Sequence, residues 1–425
     1  MRAGAVAGPS LSSVGVTDRA TDGLPIARNT ALLSAGLAAN SAMLQLSAAV
    51  ASLTLVLVLD VEGLLGLGPA IVLAAGALSA LPAGRAMDRY GRVPPLAAGY
   101  LLGILGCGLA GLGSALHSAP IVLLGLLGVG SASGISLLAR TAAGDMYPPE
   151  RRARGIGLVL FGAVFGALLG PSVFSPLLQG RDLDGDALAP LWLAGSAFMV
   201  VGLAFVSAVR PDPREIATRL GHQQPPDDHT HAPIKELLGR PGVVPAMLAA
   251  QASFAVMVAV MTLTGAVVVD HYGHEAHNVF PIIGAHVIGM YALVIVVGDV
   301  IDRIGRTPSL AGGLLVMAAS VSSLLWVESV PATAVALFGL GLGWNFSFVA
   351  ATAELADATQ PWERGRLLGF NDLLAGLTGA FLALLGGLAL TALGVAALAI
   401  GAALLVSAPA VWILRTGRPT AAART

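Results

Sequence analysis

Apolar runs of about twenty residues alternate along the chain with short polar breaks, and about 20 apolar residues are what a helix needs to cross a bilayer core. Six such runs, at roughly 30–59, 62–83, 96–116, 119–143, 156–178 and 188–209, fill the first half. Six more, at roughly 243–269, 279–298, 309–327, 331–354, 366–391 and 393–414, fill the second. The pattern predicts an all-α membrane protein of twelve transmembrane helices, numbered here as spans 1 to 12, in two six-helix bundles. The shortest separations are Asp60-Val61-Glu62, His117-Ser118 and Leu393-Gly394.

The polar stretches divide the chain further. Residues 1–27 are rich in Gly, Ser and Thr, lack a continuous apolar core and do not read as a cleaved signal peptide. They are expected to form a disordered tail. Residues 28–209 and 243–415 are the expected bundles, and 416–425 a second tail. Between the bundles, 210–242 opens with Arg210-Pro-Asp-Pro-Arg214 and continues through Gln223-Gln-Pro-Pro-Asp-Asp-His-Thr-His231. That composition predicts a polar linker whose histidines are solvated.

Composition agrees with lipid as the solvent. Of 425 residues, 56% are hydrophobic and only 11% charged, against ~25% charged in soluble domains. The 54 glycines suit helices that pack closely inside a bilayer. A net charge of −1 leaves no nucleic-acid footprint, and the single cysteine, Cys107, excludes an intramolecular disulfide. Orientation follows from the basic residues. With both termini inside, 22 of the 23 fall on the cytoplasmic side, Arg181 being the exception. This is the charge bias that sets topology, and a bacterial-type inner membrane is the expected location. Trp192, Trp326 and Trp412 fall at span ends, where indoles favour the headgroup region; Trp344 falls inside span 10.

The halves repeat. Gly84-Arg-Ala-Met-Asp88-Arg89-Tyr-Gly91-Arg92-Val-Pro94 follows span 2, and Gly298-Asp-Val-Ile-Asp302-Arg303-Ile-Gly305-Arg306-Thr-Pro308 follows span 8. A second pair, Asp145-x3-Pro149-x2-Arg152-x-Arg154-x2-Gly157 and Asp357-x3-Pro361-x2-Arg364-x-Arg366-x2-Gly369, lies at nearly the same offset. Gly84 and Gly298 suit close helix approach. Asp88, Asp302, Asp145 and Asp357 end helices beside Arg89, Arg92, Arg303 and Arg306, so each half can form an Asp–Arg–Asp cluster at the cytoplasmic rim.

With these motifs the chain resembles the major facilitator superfamily, from Arg28 to Arg415. The resemblance implies two parallel six-helix halves around a central cavity, alternating access by rocking, and rim clusters that latch one half to the other. The alternative is that the rim charges only orient the chain and tie down loops. In span 5, Gly157-x8-Gly166-x3-Gly170-Pro171 resembles the antiporter signature of the family's exporters, with Phe174-Ser175 where that pattern ends in Gly-Gly. The spacing is read as placing the glycines along one face. The family's proton-linked exporters also carry an arginine on span 4, where this chain has Leu124, four residues before Gly128. Arg140 is the only basic residue of span 4 and is expected near its cytoplasmic end.

Polar residues inside spans are costly and mark function. Helices 1, 4, 7 and 10 line the cavity in the family that the chain resembles. Asn40 and Gln45 in span 1, Gln251 in span 7, and Trp344 and Asn345 in span 10 are therefore the cavity candidates, though each amide could instead serve an interhelical hydrogen bond. His286 and Asp372 are the candidates for a proton site. His286 could equally be a packed neutral ring, and Asp372 could simply face the cytoplasmic vestibule. His271, His274 and His277 in the outer 7–8 loop have a spacing that could hold zinc; a plain polar loop is the favoured reading, and no metal is assigned.

The leading functional expectation is a monomeric secondary transporter exporting a small organic molecule in exchange for protons or ions. Uptake of a nutrient or metabolite is the alternative, and a transporter-like receptor a third. The sequence carries no phosphate-binding loop and no paired nucleophile and base, so neither an enzyme nor a cofactor is expected.

Overall fold

The computed structural model describes residues 23–59, 67–169, 185–220, 232–268, 272–273 and 279–416. The expected spans appear there as helices. In the first half these are span 1, Ile26–Leu59; span 2, Leu67–Tyr90; span 3, Val93–Ala115; span 4, Ala119–Met146; span 5, Pro149–Leu169; and span 6, Gly185–Ser207. In the second half, span 7 is Val243–Ala266 and span 8 begins at Val279 and ends at Ile304. Span 9 is Arg306–Ser323 and span 10 is Val330–Asp357. Spans 11 and 12 are one helical stretch, Pro361–Thr416, that turns at Gly394. Gly394 has φ 80°, a conformation that costs an L side chain energy and glycine nothing. The break expected at Leu393-Gly394 is therefore a change of backbone conformation and needs no polar loop.

Eight of the described helices are by themselves long and apolar enough to cross a membrane. Span 8 makes a ninth when its two parts, bent by 51°, are taken together. The bend follows a π-helical turn, Ile288–Ala292, a distortion that inserts an extra residue into a helical turn and often marks a functional position.

Within each half, glycines set the helix spacing. A Cβ on Gly134 of span 4 would overlap the Gly76 carbonyl of span 2, and one on Gly125 would meet the Ala110 backbone of span 3. Between the halves, span 2 packs on span 11 and span 5 on span 8. Gly84 lies against the Gly365 backbone and Gly298 against Ala153 and Arg154. In span 5, Gly157 faces Val294 of span 8, whereas Gly166 faces Ala38 and Ser41 of span 1. The expected single glycine face is thus corrected. Nine residues turn a helix through about two and a half revolutions, so these two glycines serve opposite neighbours. Gly170 and Pro171 lie outside the described residues.

Two further expectations change. Trp192 is fully buried and donates its indole N–H to Thr54 Oγ at 3.1 Å, so it is an internal packing residue. Trp326 and Trp412 are exposed. The linker, read as polar coil, contains the helices Pro213–Arg219 and Ile234–Leu238. Asp212 anchors the first. Its carboxylate accepts from the backbone N–H groups of Arg92, Val93 and Arg214 at 2.8–2.9 Å, capping both span 3 and the linker helix. Arg240 anchors the second through paired hydrogen bonds to Glu363 at 2.6 and 2.9 Å.

These contacts generate three expectations for purified protein in detergent. Gly134→Ala forces two backbones apart and lowers the thermal midpoint, by the ~1–3 kcal/mol typical of overpacking. Gly108→Ala meets nothing within 4 Å and leaves the midpoint unchanged or slightly raised, because alanine is the better helix former. Asp212→Ala removes the acceptor of three N–H groups and lowers stability by about 1–2 kcal/mol, the range of a lost helix cap.

Candidate functional site

Two clusters close the end of the bundle that carries the repeated motifs. In the first, Arg92 reaches Asp88 at 2.8 Å and Asp145 at 2.5 Å, all within the N-terminal half. Arg364 from the C-terminal half also pairs with Asp145. In the second, Arg306 reaches Asp302 at 2.6 Å and Asp357 at 3.0 Å within the C-terminal half. Arg152 from the N-terminal half also pairs with Asp357. Each cluster holds two aspartates and two arginines and is neutral. Three members come from one half and one arginine from the other.

Backbone groups repeat the exchange. Asp88 accepts the N–H groups of Gly365 and Arg366 at 2.8 and 2.6 Å, in the first turns of span 11. Asp302 accepts those of Ala153 and Arg154 at 3.2 and 3.0 Å, in the first turn beyond the 3-10 start of span 5. Helix N-termini carry unpaired N–H groups and partial positive charge, so Asp302 caps a helix of the opposite half, and Asp88 lies against the N-terminal turns of another. Arg92 donates to the Pro361 carbonyl and Arg306 to that of Pro149, the latter at 2.8 Å. Gly91 and Gly305 have φ 90° and 92°, which explains why both motif copies need glycine there.

Electrostatics hold the arrangement. Arg92 is fully buried. Burial alone would lower its pKa, but the carboxylates of Asp145 and Asp88 outweigh that and hold it above its ordinary value. At the linker, the hydrogen bonds that Arg240 donates to Glu363 likewise raise its pKa. Arg89 and Arg303 join neither cluster; Arg89 lies over the exposed Tyr90 ring at 5.2 Å.

Beyond the rim lies a cavity of about 390 Å³ between the halves. The N-terminal half contributes Asn40, Ser41, Ser47 and Ser133 among leucines and small apolar residues. The C-terminal half contributes Phe254, Met257, Met290, Tyr291, Trp344 and Asp372. The π turn of span 8 carries Met290 and Tyr291 to this wall. Trp344 meets Tyr291 edge to face at 5.8 Å and stacks on Phe348 at 4.5 Å.

The sequence candidates distribute unevenly. Asn40, Trp344 and Asp372 line the cavity. Gln251 is turned to span 11, donating to the Asn371 carbonyl and accepting from Thr378, both at 3.3 Å. It follows the interhelical alternative. Gln45 is half-buried and Asn345 buried, and neither is among the lining residues. His286 is buried with Nδ1 2.9 Å from the Leu337 carbonyl, away from the cavity lining. Asp372 does more than face a vestibule, because it pairs across the halves with Arg140. Arg140 is fully buried, lies 4.3 Å over the Phe348 ring, and is no mere span-end charge. Leu124, where a family arginine was sought, is 58% exposed on the outer surface. His271, His274 and His277 lie outside the described residues.

Sequence reasoning missed Arg152, Arg364 and Arg140 as partners across the halves. The second repeat contained the first two at matching positions, which was the available signal. Arg140 was marked by its charge inside the expected span 119–143, but nothing local pointed to its partner Asp372.

The sequence model of the Major Facilitator Superfamily matches residues 31–298 and 277–425. The MFS-type transporter YdeG of Bacillus subtilis (strain 168) is 32% identical over 336 residues, covering 78% of each chain. The riboflavin transporter RfnT of Brucella anthropi is 32% identical over 304 residues, covering 70% of this chain and 73% of RfnT. Among solved structures, the proton:xylose symporter XylE superposes with a TM-score of 0.71 at 16% identity, covering 92% of this chain and 95% of XylE. The reciprocal motifs, the two six-helix halves and these matches together place the chain in the Major Facilitator Superfamily of membrane transporters.

Proposed function

We propose that this transporter exports a small organic molecule by alternating access, in exchange for protons, with the two rim clusters as its cytoplasmic gate. The observation that carries the proposal is the exchange of Arg152 and Arg364. Each cluster is complete and neutral only while the halves meet at this end. Rocking the halves apart separates buried charges from their partners, and breaking such a pair costs several kcal/mol. The gate therefore stays shut until a compensating event occurs elsewhere, which is what alternating access demands. Gly84 and Gly298 let the backbones close at the same level.

Asp372 is the group placed to couple the proton. It lines the cavity and holds Arg140 across the halves, so protonating it removes the counter-charge of a buried guanidinium. Asn371 Nδ2, 3.3 Å away, is its other close partner. His286, away from the cavity lining, is the lesser candidate. The glycine pattern of span 5 supports export through its resemblance to the exporters' signature.

Uptake of a heteroaromatic nutrient is the second reading. It is favoured by RfnT, whose name assigns it riboflavin, and by the aromatic wall of the cavity.

Reconstitution in proteoliposomes with an imposed pH gradient tests these readings, screening labelled drugs and metabolites with riboflavin among them. Opposed proton and substrate fluxes are expected for export; parallel fluxes support uptake. Substrate flux without proton movement under a clamped potential overturns proton coupling. Asp88→Asn is expected to lower flux at least tenfold while membrane insertion and monodispersity are retained. Unchanged flux by that variant removes the gate.

A further inference from the structure

The central cavity has two chemically different walls. The C-terminal wall is aromatic and thioether, with Trp344, Tyr291, Phe254 and Met257. Such surfaces favour the face of a flat ring system, through stacking and sulfur–aromatic contact. Phe348 backs Trp344 with nearly parallel planes, 17° apart, which holds the indole in place.

The opposite wall offers acceptors. Ser41 Oγ donates to the Ala163 carbonyl at 2.9 Å, and Ser133 Oγ donates to that of Val129 at 3.1 Å. A hydroxyl has a single proton. With both protons engaged by backbone, these oxygens face a ligand as acceptors. Asn40 Oδ1 on this wall and Asp372 Oδ2 on the C-terminal wall are buried and have no partner among the described residues. A buried polar atom left unpaired is costly, so a ligand that supplies O–H or N–H donors here gains affinity.

Charge completes the picture. Asp372 is the one charged residue among the described lining residues. Arg140 lies directly behind it, paired to it and not lining the cavity. Pair and cavity are therefore neutral together. A cation entering finds a carboxylate already compensated, and an anion finds a guanidinium already engaged. Either leaves water without a counter-charge, a transfer that costs several kcal/mol.

We infer that the cavity binds a neutral, flat aromatic molecule rich in O–H or N–H donors, and that the Arg140–Asp372 pair sets this charge selectivity. The inference rests on reading the cavity as the transport site.

Equilibrium binding to the full-length protein in detergent at pH 7.5 tests it with three fluorescent probes. Riboflavin is a neutral ring system with hydroxyls, its 5′-phosphate is the anionic counterpart, and proflavine is a planar cation. The wild type is expected to bind riboflavin at least tenfold more tightly than either charged probe. Asp372→Asn leaves Arg140 uncompensated and shifts preference at least tenfold toward the phosphate ester. Arg140→Gln leaves Asp372 uncompensated and shifts it toward proflavine. The double variant is neutral again and restores the preference for riboflavin. Asn40→Asp touches neither member of the pair and also shifts preference toward proflavine, which keeps the test decisive where a single variant of the pair does not fold.

A wild type that binds none of the probes, or favours a charged one, overturns the inference. So do variants that weaken all three probes alike, the outcome of a purely structural role. Riboflavin flux in liposomes separates the two readings. Selective binding without flux of any substrate contradicts transport and leaves the selectivity standing, whereas flux with no discrimination by charge overturns the selectivity alone.

Discussion

A guanidinium buried between two helical bundles must have a carboxylate, and at the rim of this protein two guanidiniums find theirs in the opposite half. Arg92 and Arg306 each satisfy two aspartates of their own half. Arg364 and Arg152 then cross over, each to the cluster of the other half. The close approach of Gly84 to Gly365 and the hydrogen bonds of Asp88 and Asp302 to the first turns of foreign helices belong to the same contact. The glycines bring the helix ends near enough for charges to pair, and the pairing makes the approach stable. Neither element works without the other, because buried ion pairs tolerate little misplacement.

The linker takes part in this architecture. Asp212 caps the start of span 3 next to Arg92, and Arg214 donates to the Asp88 carbonyl at 2.6 Å. At its other end Arg240 is fixed to Glu363, beside Arg364. Both ends of the connection between halves are thus tied beside the first rim cluster. A movement that parts the clusters also strains the linker's attachments.

Arg140 and Asp372 form a third bridge, at the cavity instead of the rim. Arg140 sits on Phe348, Phe348 on Trp344, and Trp344 faces the cavity beside Tyr291. Whatever occupies the cavity therefore touches residues that are mechanically continuous with an inter-half ion pair. Packed interiors respond to such contact by switching between discrete arrangements, which gives occupancy a physical route to the halves' relative position.

The sequence by itself determined the features set by local periodicity and repetition. Span length follows from bilayer thickness, so the runs read at 243–269 and 331–354 match the helices Val243–Ala266 and Val330–Asp357, whereas the run read at 62–83 is the helix Leu67–Tyr90. The two motif copies carried their own symmetry, with Gly91 and Gly305 at matching positions, and the fold decided that these two and Gly394 take positive φ. Tertiary structure decided which partner each charge takes. Asp145 meets Arg364 across 219 residues, and Arg140 meets Asp372 across 232. Spacing along one helix fixes a residue's face but not what packs against that face. For the same reason Gln251 and Asn345, equal in sequence to Asn40, lie off the cavity lining, and Trp192 at a span end is buried against Thr54. A helix rotates its residues by about 100° each, so neighbours in sequence diverge in space, and only the packing of both halves selects which of them the cavity sees.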